Sequence, residues 1–272
     1  MRLAVVCLLL AAAMVATGCT KPKPVAKAVL TQSGREMVVR LRNDVTMKLV
    51  LVPAGSFLMG SPDNEPNRDR DEGPRRTVTL GKGFFVGVTE VTQEQYEAVM
   101  EDNPSTFQGP RNPVEEVSWE DAVAFCKELS RLSGRNFHLP TEAQWEYACR
   151  AGTQTIYHSG NSLEQLKQVG CFASDPANVK STRPVASLAA NAWGLYDMHG
   201  NVWEWCSDWY TADAYGTGGN VTDPAGPASG SERILRGGSW SDEPQDCRSA
   251  VRECQPPGYS DDDIGFRVVC DE

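Results

Sequence analysis

Histidine is scarce in this chain of 272 residues, which contains only His138, His158 and His199. The three are scattered and lack the close spacing of protein zinc sites. No glycine-rich phosphate-binding loop precedes a predicted helix. The sequence therefore argues against a histidine-ligated zinc enzyme and against a P-loop nucleotidase.

Positive charge is also in short supply. The chain has 26 Lys and Arg against 36 Asp and Glu, which gives a formal net charge of −10. Such a charge opposes nonspecific attraction to nucleic acid or to anionic lipid. We therefore expect no nucleic-acid partner, and the simplest interpretation of the charge is a solvated acidic surface.

Long apolar runs are limited to the N-terminus. Met1 and Arg2 precede an apolar run over 3–15 that is too short for a stop-transfer helix. It ends in Ala-Thr-Gly before Cys19, which resembles a lipobox and predicts a signal peptide over 1–18 with lipidation at Cys19. Plain secretory cleavage is the alternative. Thr20 after the cysteine favours the outer membrane.

The segment 19–44 is predicted to be a tether between membrane and domain, because its first part is rich in Lys, Pro and Ala. An acyl chain at Cys19 would hold an otherwise soluble domain at a lipid bilayer. The expected location is extracytoplasmic and lipid-anchored.

In an exported chain, cysteines are expected to form disulfides rather than to remain as reactive thiols. Cys7 leaves with the signal peptide and Cys19 takes the lipid. Seven cysteines then remain, and because seven is odd, at least one of them has no disulfide partner. The seven are Cys126, Cys149, Cys171, Cys206, Cys247, Cys254 and Cys270.

Short elements are predicted along the rest of the chain. Residues 47–60 resemble a β-hairpin, and 77–91 resemble two paired strands separated by Gly81 and Gly83. Capping residues Thr92, Ser118 and Thr141 predict helices over 93–100, 119–133 and 142–150. Beyond 153 no long helix is expected. The predicted fold is α+β and loop-rich, with small mixed or antiparallel sheets and two to three helices, in a single domain over 45–272.

Five motifs identify a family resemblance. Residues 52–60 read VPAGSFLMG, 139–148 LPTEAQWEYA, 194–205 GLYDMHGNVWEW, 236–240 RGGSW and 265–267 GFR. In this order they resemble the sulfatase-modifying-factor family of formylglycine-generating-enzyme-like domains, a variant of the C-type lectin fold. The resemblance covers about 45–270. It supports the fold, whereas function must be argued from the site.

The resemblance implies one structural calcium ion. The matching positions here are the carboxylates of Asp197 and Glu204 and the backbone carbonyls of Gly200 and Val202. Carboxylates and carbonyls are the ligands that Ca²⁺ prefers. The alternative is a turn held by hydrogen bonds between carboxylates and amides, without a metal.

The resemblance also raises the question of catalysis. Family enzymes hold copper(I) with two cysteines five positions apart, and thiolates suit copper(I). Counting from Gly238-Ser239, the first position is Asp242 and the second is Cys247. If the family positions are instead counted back from Gly265, a gap in the alignment is required. Cys247 then falls near a family cysteine that forms a structural disulfide. The structural interpretation pairs Cys149 with Cys247 and Cys126 with Cys270.

Two functions follow from these alternatives. The first is a membrane-tethered, non-catalytic binding or accessory module, whose ligand face lies in the loops over 240–263. Its partner would be an envelope protein, a peptide or a glycan, and we expect a monomer. The second is an oxidase that converts a sulfatase cysteine to formylglycine, with copper at Cys247. The candidate residues of the ligand face are Trp240, Asp242, Glu243 and Tyr259.

Overall fold

The computed structural model describes residues 28–175, 180–216 and 218–272. The expected signal peptide, Cys19 and the first part of the tether lie outside the described residues. The expected start of the domain at residue 45 is too late, because Val29–Ser33 and Glu36–Arg40 already form two paired strands. Met37 and Val39 on the second strand are fully buried and belong to the core.

The described residues form fifteen strands and four α-helices. The strands are β1 (Val29–Ser33), β2 (Glu36–Arg40), β3 (Thr46–Val52), β4 (Gly55–Met59), β5 (Arg76–Leu80), β6 (Phe84–Gly87), β7 (Phe137–His138), β8 (Gly170–Cys171), β9 (His199–Gly200), β10 (Trp203–Trp209), β11 (Asn220–Thr222), β12 (Arg233–Arg236), β13 (Glu253–Gln255), β14 (Ile264–Gly265) and β15 (Val269–Asp271). The helices are α1 (Gln93–Met100), α2 (Trp119–Ser133), α3 (Glu142–Arg150) and α4 (Leu163–Leu166).

The three predicted helices form where their capping residues place them. In each, a Ser or Thr accepts a hydrogen bond from the backbone N–H three residues later, and the later side chain accepts one in return. The pairs are Thr92 with Gln95, Ser118 with Asp121, and Thr141 with Gln144. The four-residue helix α4 was not predicted, because it is too short to show helical periodicity.

Both predicted strand pairings are wrong, although the strands themselves exist. β3 pairs with β2 and β6 in a six-stranded sheet of order β1-β2-β3-β6-β15-β7, whereas β4 and β5 pair with each other in a three-stranded sheet with β11. The chain leaves the first sheet at Pro53, which has no N–H to continue a ladder. β5 and β6 likewise belong to different sheets.

A four-stranded sheet of order β13-β12-β10-β14 brings the three C-terminal motifs together. Its central strand β10 pairs antiparallel with β12 and parallel with β14. In this register Glu204 lies opposite Arg236 on one side and Gly265 on the other. Motifs separated by about sixty residues in the chain therefore meet around one glutamate.

The sheets and helices enclose two large apolar clusters. One contains Phe125, Trp205 and Phe266, and the other contains Trp145, Met198 and Ile234. The α+β, loop-rich single domain is confirmed. Within the described ranges, no helix has both the length and the apolar character needed to cross a bilayer.

Candidate functional site

Two buried carboxylates beside β9 and β10 form the first part of the site. Glu204 accepts two hydrogen bonds from the Arg267 guanidinium, each 2.6 Å long, and one from the Trp145 indole at 2.7 Å. Asp197 lies in the preceding turn with a φ of 58° and accepts the Ala186 N–H at 2.7 Å. The two carboxylates among the four predicted calcium ligands are therefore both buried in the domain.

A third carboxylate, Glu90, was missed in the sequence analysis. It is fully buried, and its Oε1 has no hydrogen-bond partner among the described residues. Burial and the charges of Asp197 and Glu204 raise the pKa of Glu90 well above its usual value. Burial also raises the pKa of Asp197 to about 6. The available signal was the position of Glu90 two residues before Thr92, the cap of α1.

This arrangement fits a hard cation. Three buried carboxyl groups lie near the one guanidinium of Arg267, and the unpartnered oxygen of Glu90 is costly unless something binds it. In the described ranges, however, no three His, Cys, Asp or Glu side chains already converge as a metal site. An ion would need backbone oxygens as well. Gly200, at the end of β9, and Val202, between β9 and β10, lie between Asp197 and Glu204 in the chain.

The second part of the site surrounds the position of the first family cysteine, which is Asp242 here. Its carboxylate accepts a hydrogen bond from the Ser239 hydroxyl and one from the Trp203 side chain. Ser239 Oγ also lies 2.9 Å from the carboxylate of Asp263, which Ser241 Oγ contacts at 2.9 Å. Burial raises the pKa of both carboxyl groups. The place of the first family cysteine is therefore occupied by carboxylate and hydroxyl groups that hydrogen-bond to one another.

Cys247 is fully buried beneath the Gly-Gly-Ser turn. A Cβ atom at Gly238 would lie 2.7 Å from its Sγ, so the turn passes this thiol only because position 238 is glycine. Burial raises the pKa of Cys247 well above its usual value, and the charges of Asp242 and Asp246 raise it further. The thiol is therefore held protonated.

The predicted disulfides are not formed, and every cysteine in the described residues is free. The Cys149 thiol lies 3.7 Å from the Met198 carbonyl and 3.8 Å from the Ser249 hydroxyl. Ser249 rather than Cys247 thus lies against this thiol. Cys126 and Cys270 share one apolar cluster without a bridge, and the Cys270 thiol donates to the Asp271 carbonyl at 3.5 Å.

The residues of the predicted ligand face do not all contact one another in the structure. The Trp240 indole donates to the Asp262 carbonyl at 3.3 Å. The Trp240 ring packs edge-to-face on Phe107, with ring centroids 5.2 Å apart. Tyr259 is exposed, and its hydroxyl donates to Asp261 at 2.6 Å. Glu243 is exposed beside Asp242. Phe107 was not predicted, because it lies far away in the chain.

Comparison with known proteins agrees with this geometry. The sulfatase-modifying factor enzyme 1-like domain matches residues 36–272, so the chain belongs to that family. The formylglycine-generating enzyme of Thermomonospora curvata is 30% identical, over 85% of this chain and 96% of the relative.

Two solved structures share the fold over most of their length. Treponema denticola variable protein 1 has a TM-score of 0.78 and 31% identity, over 88% of this chain and 100% of the other. PvdO from Pseudomonas aeruginosa has a TM-score of 0.76 and 30% identity, over 83% and 94% of the two chains.

Proposed function

We propose that this protein is a membrane-tethered, non-catalytic binding or accessory module of a bacterial envelope, anchored through Cys19. The observation that carries the proposal concerns the two positions that bind copper in family enzymes, which are occupied here by Asp242 and Cys247. Asp242 stands at the first position, and the Cys247 thiol at the second is buried beside acidic side chains.

Copper(I) chemistry is poorly supported by these groups. A soft ion prefers thiolates to carboxylates, and only a deprotonated cysteine is a good ligand. The negative charges of Asp242 and Asp246 oppose deprotonation of Cys247. The carboxylate that replaces the first cysteine thus also weakens the second.

The proposed ligand face lies on the loops over 240–263. It combines the exposed Tyr259 with Trp240 and the acidic groups of Glu243 and Asp261. Such a surface favours an envelope protein, peptide or glycan that offers cationic or hydrogen-bond-donating groups. We further propose that one structural calcium ion, held by Asp197, Glu204 and the carbonyls of Gly200 and Val202, stiffens the segment that leads into β10.

A second candidate is the oxidase of the alternative interpretation. It is favoured by the similarity to the Thermomonospora curvata formylglycine-generating enzyme, which extends over 96% of that relative. Cys247 and an unidentified second ligand would then hold the copper ion.

Mass spectrometry of a peptide substrate separates the two candidates. The chain without residues 1–18, with Cys19→Ser to remove the lipidation site, is loaded with copper(I) and mixed with a Cys-x-Pro-x-Arg peptide in air. The module proposal expects the peptide thiol to persist. Conversion to the aldehyde, lost in Cys247→Ser, would reject the proposal and identify an oxidase.

A further inference from the structure

The helix α2 separates the point where the N-terminal segment enters the domain from the proposed ligand face. The Ala28 N–H donates to the Leu132 carbonyl at 3.1 Å, at the C-terminal end of α2. At the other end, the Glu120 N–H donates to the Pro257 carbonyl at 3.4 Å. The 15 residues of α2 span about 22 Å, because an α-helix rises about 1.5 Å per residue. The N-terminal segment and the loops over 240–263 therefore meet opposite ends of one helix.

Charge is distributed unequally between two segments of equal length that belong to these ends. Residues 20–43 contain six Lys and Arg side chains and one acidic side chain, whereas residues 240–263 contain two and seven. The two arginines of the second segment, Arg248 and Arg252, are buried and pair with glutamates from other parts of the chain. They therefore do not neutralise the surface of the loops that contain them.

We use the term acidic end for Glu116 and the loops over 240–263. Within the part of the chain that the structure describes, the seven carboxylates of these loops form no ion pair with a basic side chain. Glu243 and Glu253 are exposed. The Glu116 N–H donates to the Asp261 carbonyl at 2.9 Å, which fixes the loops beside the start of α2. Negative charge is therefore concentrated at this end of the domain.

We use the term anchor end for Ala28 and the C-terminal half of α2. Charges on its surface are largely paired, since Arg131 contacts Glu128 at 2.6 Å and Arg42 contacts Glu101. Arg131 and, more weakly, Arg42 lower the pKa of Glu128, so the two pairs are neighbours. The preceding segment adds positive charge and no acid, through Lys21, Lys23 and Lys27. The anchor end is therefore joined to a basic segment and lacks the negative charge of the acidic end.

We propose that the domain stands on an anionic bilayer with the anchor end toward the lipid headgroups and the acidic end turned away. This orientation rests on the proposed function, because it requires the lipid at Cys19. Residues 20–27 can span at most about 28 Å when fully extended, so the anchor end stays near the bilayer. Lysines beside anionic lipid are attracted to it. Carboxylates brought within a Debye length of the bilayer, about 8 Å, are repelled.

The orientation restricts what the ligand face can bind. In this position the loops over 240–263 point into the aqueous compartment, with the length of α2 between them and the bilayer. The partner of the ligand face is then an envelope protein, peptide or glycan that approaches from the aqueous side. A lipid headgroup of the anchoring membrane is out of reach.

Förster energy transfer to the bilayer measures the height of each end. The full chain is produced as a lipoprotein with its own residues 1–18, and mass spectrometry confirms the lipid on Cys19. Cys254→Ser removes the one half-buried thiol of the described ranges. A donor dye is then attached at Val29→Cys, where the native side chain is 56% exposed, or at Gly258→Cys, where a Cβ meets no atom within 4 Å. Acceptor lipids are placed in phosphatidylcholine vesicles and in mixed vesicles that also contain phosphatidylglycerol.

On mixed vesicles we expect about twofold or greater transfer from position 29 relative to position 258, because the second dye is about 22 Å farther away. At about 1 M salt, where the Debye length is about 3 Å, this ratio should fall to its value on phosphatidylcholine alone. Glu243→Lys combined with Glu253→Lys should bring position 258 toward mixed vesicles and increase its transfer. Glu243→Asp combined with Glu253→Asp keeps both charges and is the matched control, which should leave the ratio unchanged.

Two kinds of failure are distinguishable. Equal transfer from positions 29 and 258 on mixed vesicles, or a ratio that the charge reversal leaves unchanged, overturns the orientation while the anchor stands. Failure of the chain to float with the vesicles overturns the anchor of the proposed function, and the orientation with it.

Discussion

The Cys149 thiol lies 3.8 Å from the Ser249 hydroxyl in the interior of the domain. Both residues are fully buried. Disulfide formation requires two sulfur atoms about 2.05 Å apart on side chains that face each other. Position 249, two residues beyond Cys247, is therefore the place where a partner for Cys149 would stand.

The substitution Ser249→Cys should create a disulfide with Cys149. Under oxidising conditions we expect a tryptic fragment that links the two cysteines, and a stability gain on the order of 2–4 kcal/mol over the reduced form. Peptide mapping without reductant and thermal unfolding measure both quantities. Finding Cys149 linked to Cys247 in the unchanged protein would contradict the structure.

The substitution Asp242→Cys restores a pair of cysteines five positions apart. It also removes a negative charge that holds the pKa of Cys247 high. We expect the variant to bind about one equivalent of copper(I) more tightly than the parent protein. Competition with a colorimetric copper(I) chelator measures the affinity, and Asp242→Ser is the matched control that removes the charge without adding a thiol.

Calcium should stabilise the domain, and more strongly at pH 8 than at pH 5. The pKa of the proposed ligand Asp197 is raised to about 6 by burial, so protons compete with the ion at low pH. At a free concentration of about 100 times Kd the gain is about 2.7 kcal/mol. Thermal unfolding with calcium or with chelator measures it. Asp197→Ala should abolish the gain, and an unchanged gain in this variant would reject the proposed ligand.

Asp208 should make the domain less stable as pH rises. Its folded pKa of about 7 lies above the ordinary value of 3.8, so between these values the folded state holds more protons than the unfolded state. Stability conferred by this group is full below about pH 4 and is lost by about pH 7. Relative to Asp208→Asn, the parent protein should lose on the order of 2–4 kcal/mol over this window. Denaturant unfolding of the two proteins at several pH values isolates the effect.

Glu146 should be among the most sensitive buried positions. Its carboxylate accepts the Gly60 N–H and pairs with Arg150 at 2.8 Å and with Arg236. Glu146→Gln leaves the buried Arg150 without its anion and leaves Arg236 with only Glu142, at 3.8 Å, and we expect a loss of about 3–5 kcal/mol. Glu128→Gln breaks a surface pair with Arg131 and should cost less than about 1 kcal/mol. Similar losses in both variants would contradict this account.

Local chemistry made part of the fold predictable. The capping residues Thr92, Ser118 and Thr141 set the starts of three helices, because their partners lie three residues away. Strand pairing failed because it depends on contacts between distant segments, and Pro53 divides two sheets rather than forming a hairpin. The hairpin of β1 and β2 was missed because its exposed edge resembles a polar linker.

The sequence predicted those parts of the site whose residues lie close together in one motif. Asp197 and Glu204 lie in one motif, and the folded chain buries both, so the sequence brought these two carboxylates together as a pair. Glu90 and Phe107 come from other segments, and only the folded chain brings them near. The disulfide prediction failed because counting along the chain could not place Ser249, rather than Cys247, against Cys149.

Copper(I) binding by the unchanged protein tests the central claim most directly. The chain without residues 1–18, carrying Cys19→Ser, is titrated against a copper(I) chelator beside the same chain with Cys247→Ser. We predict identical curves, because the Cys247 thiol is buried and the negative charge of Asp242 opposes its deprotonation. One equivalent of tightly bound copper(I) that disappears in Cys247→Ser would contradict the account and identify a copper centre.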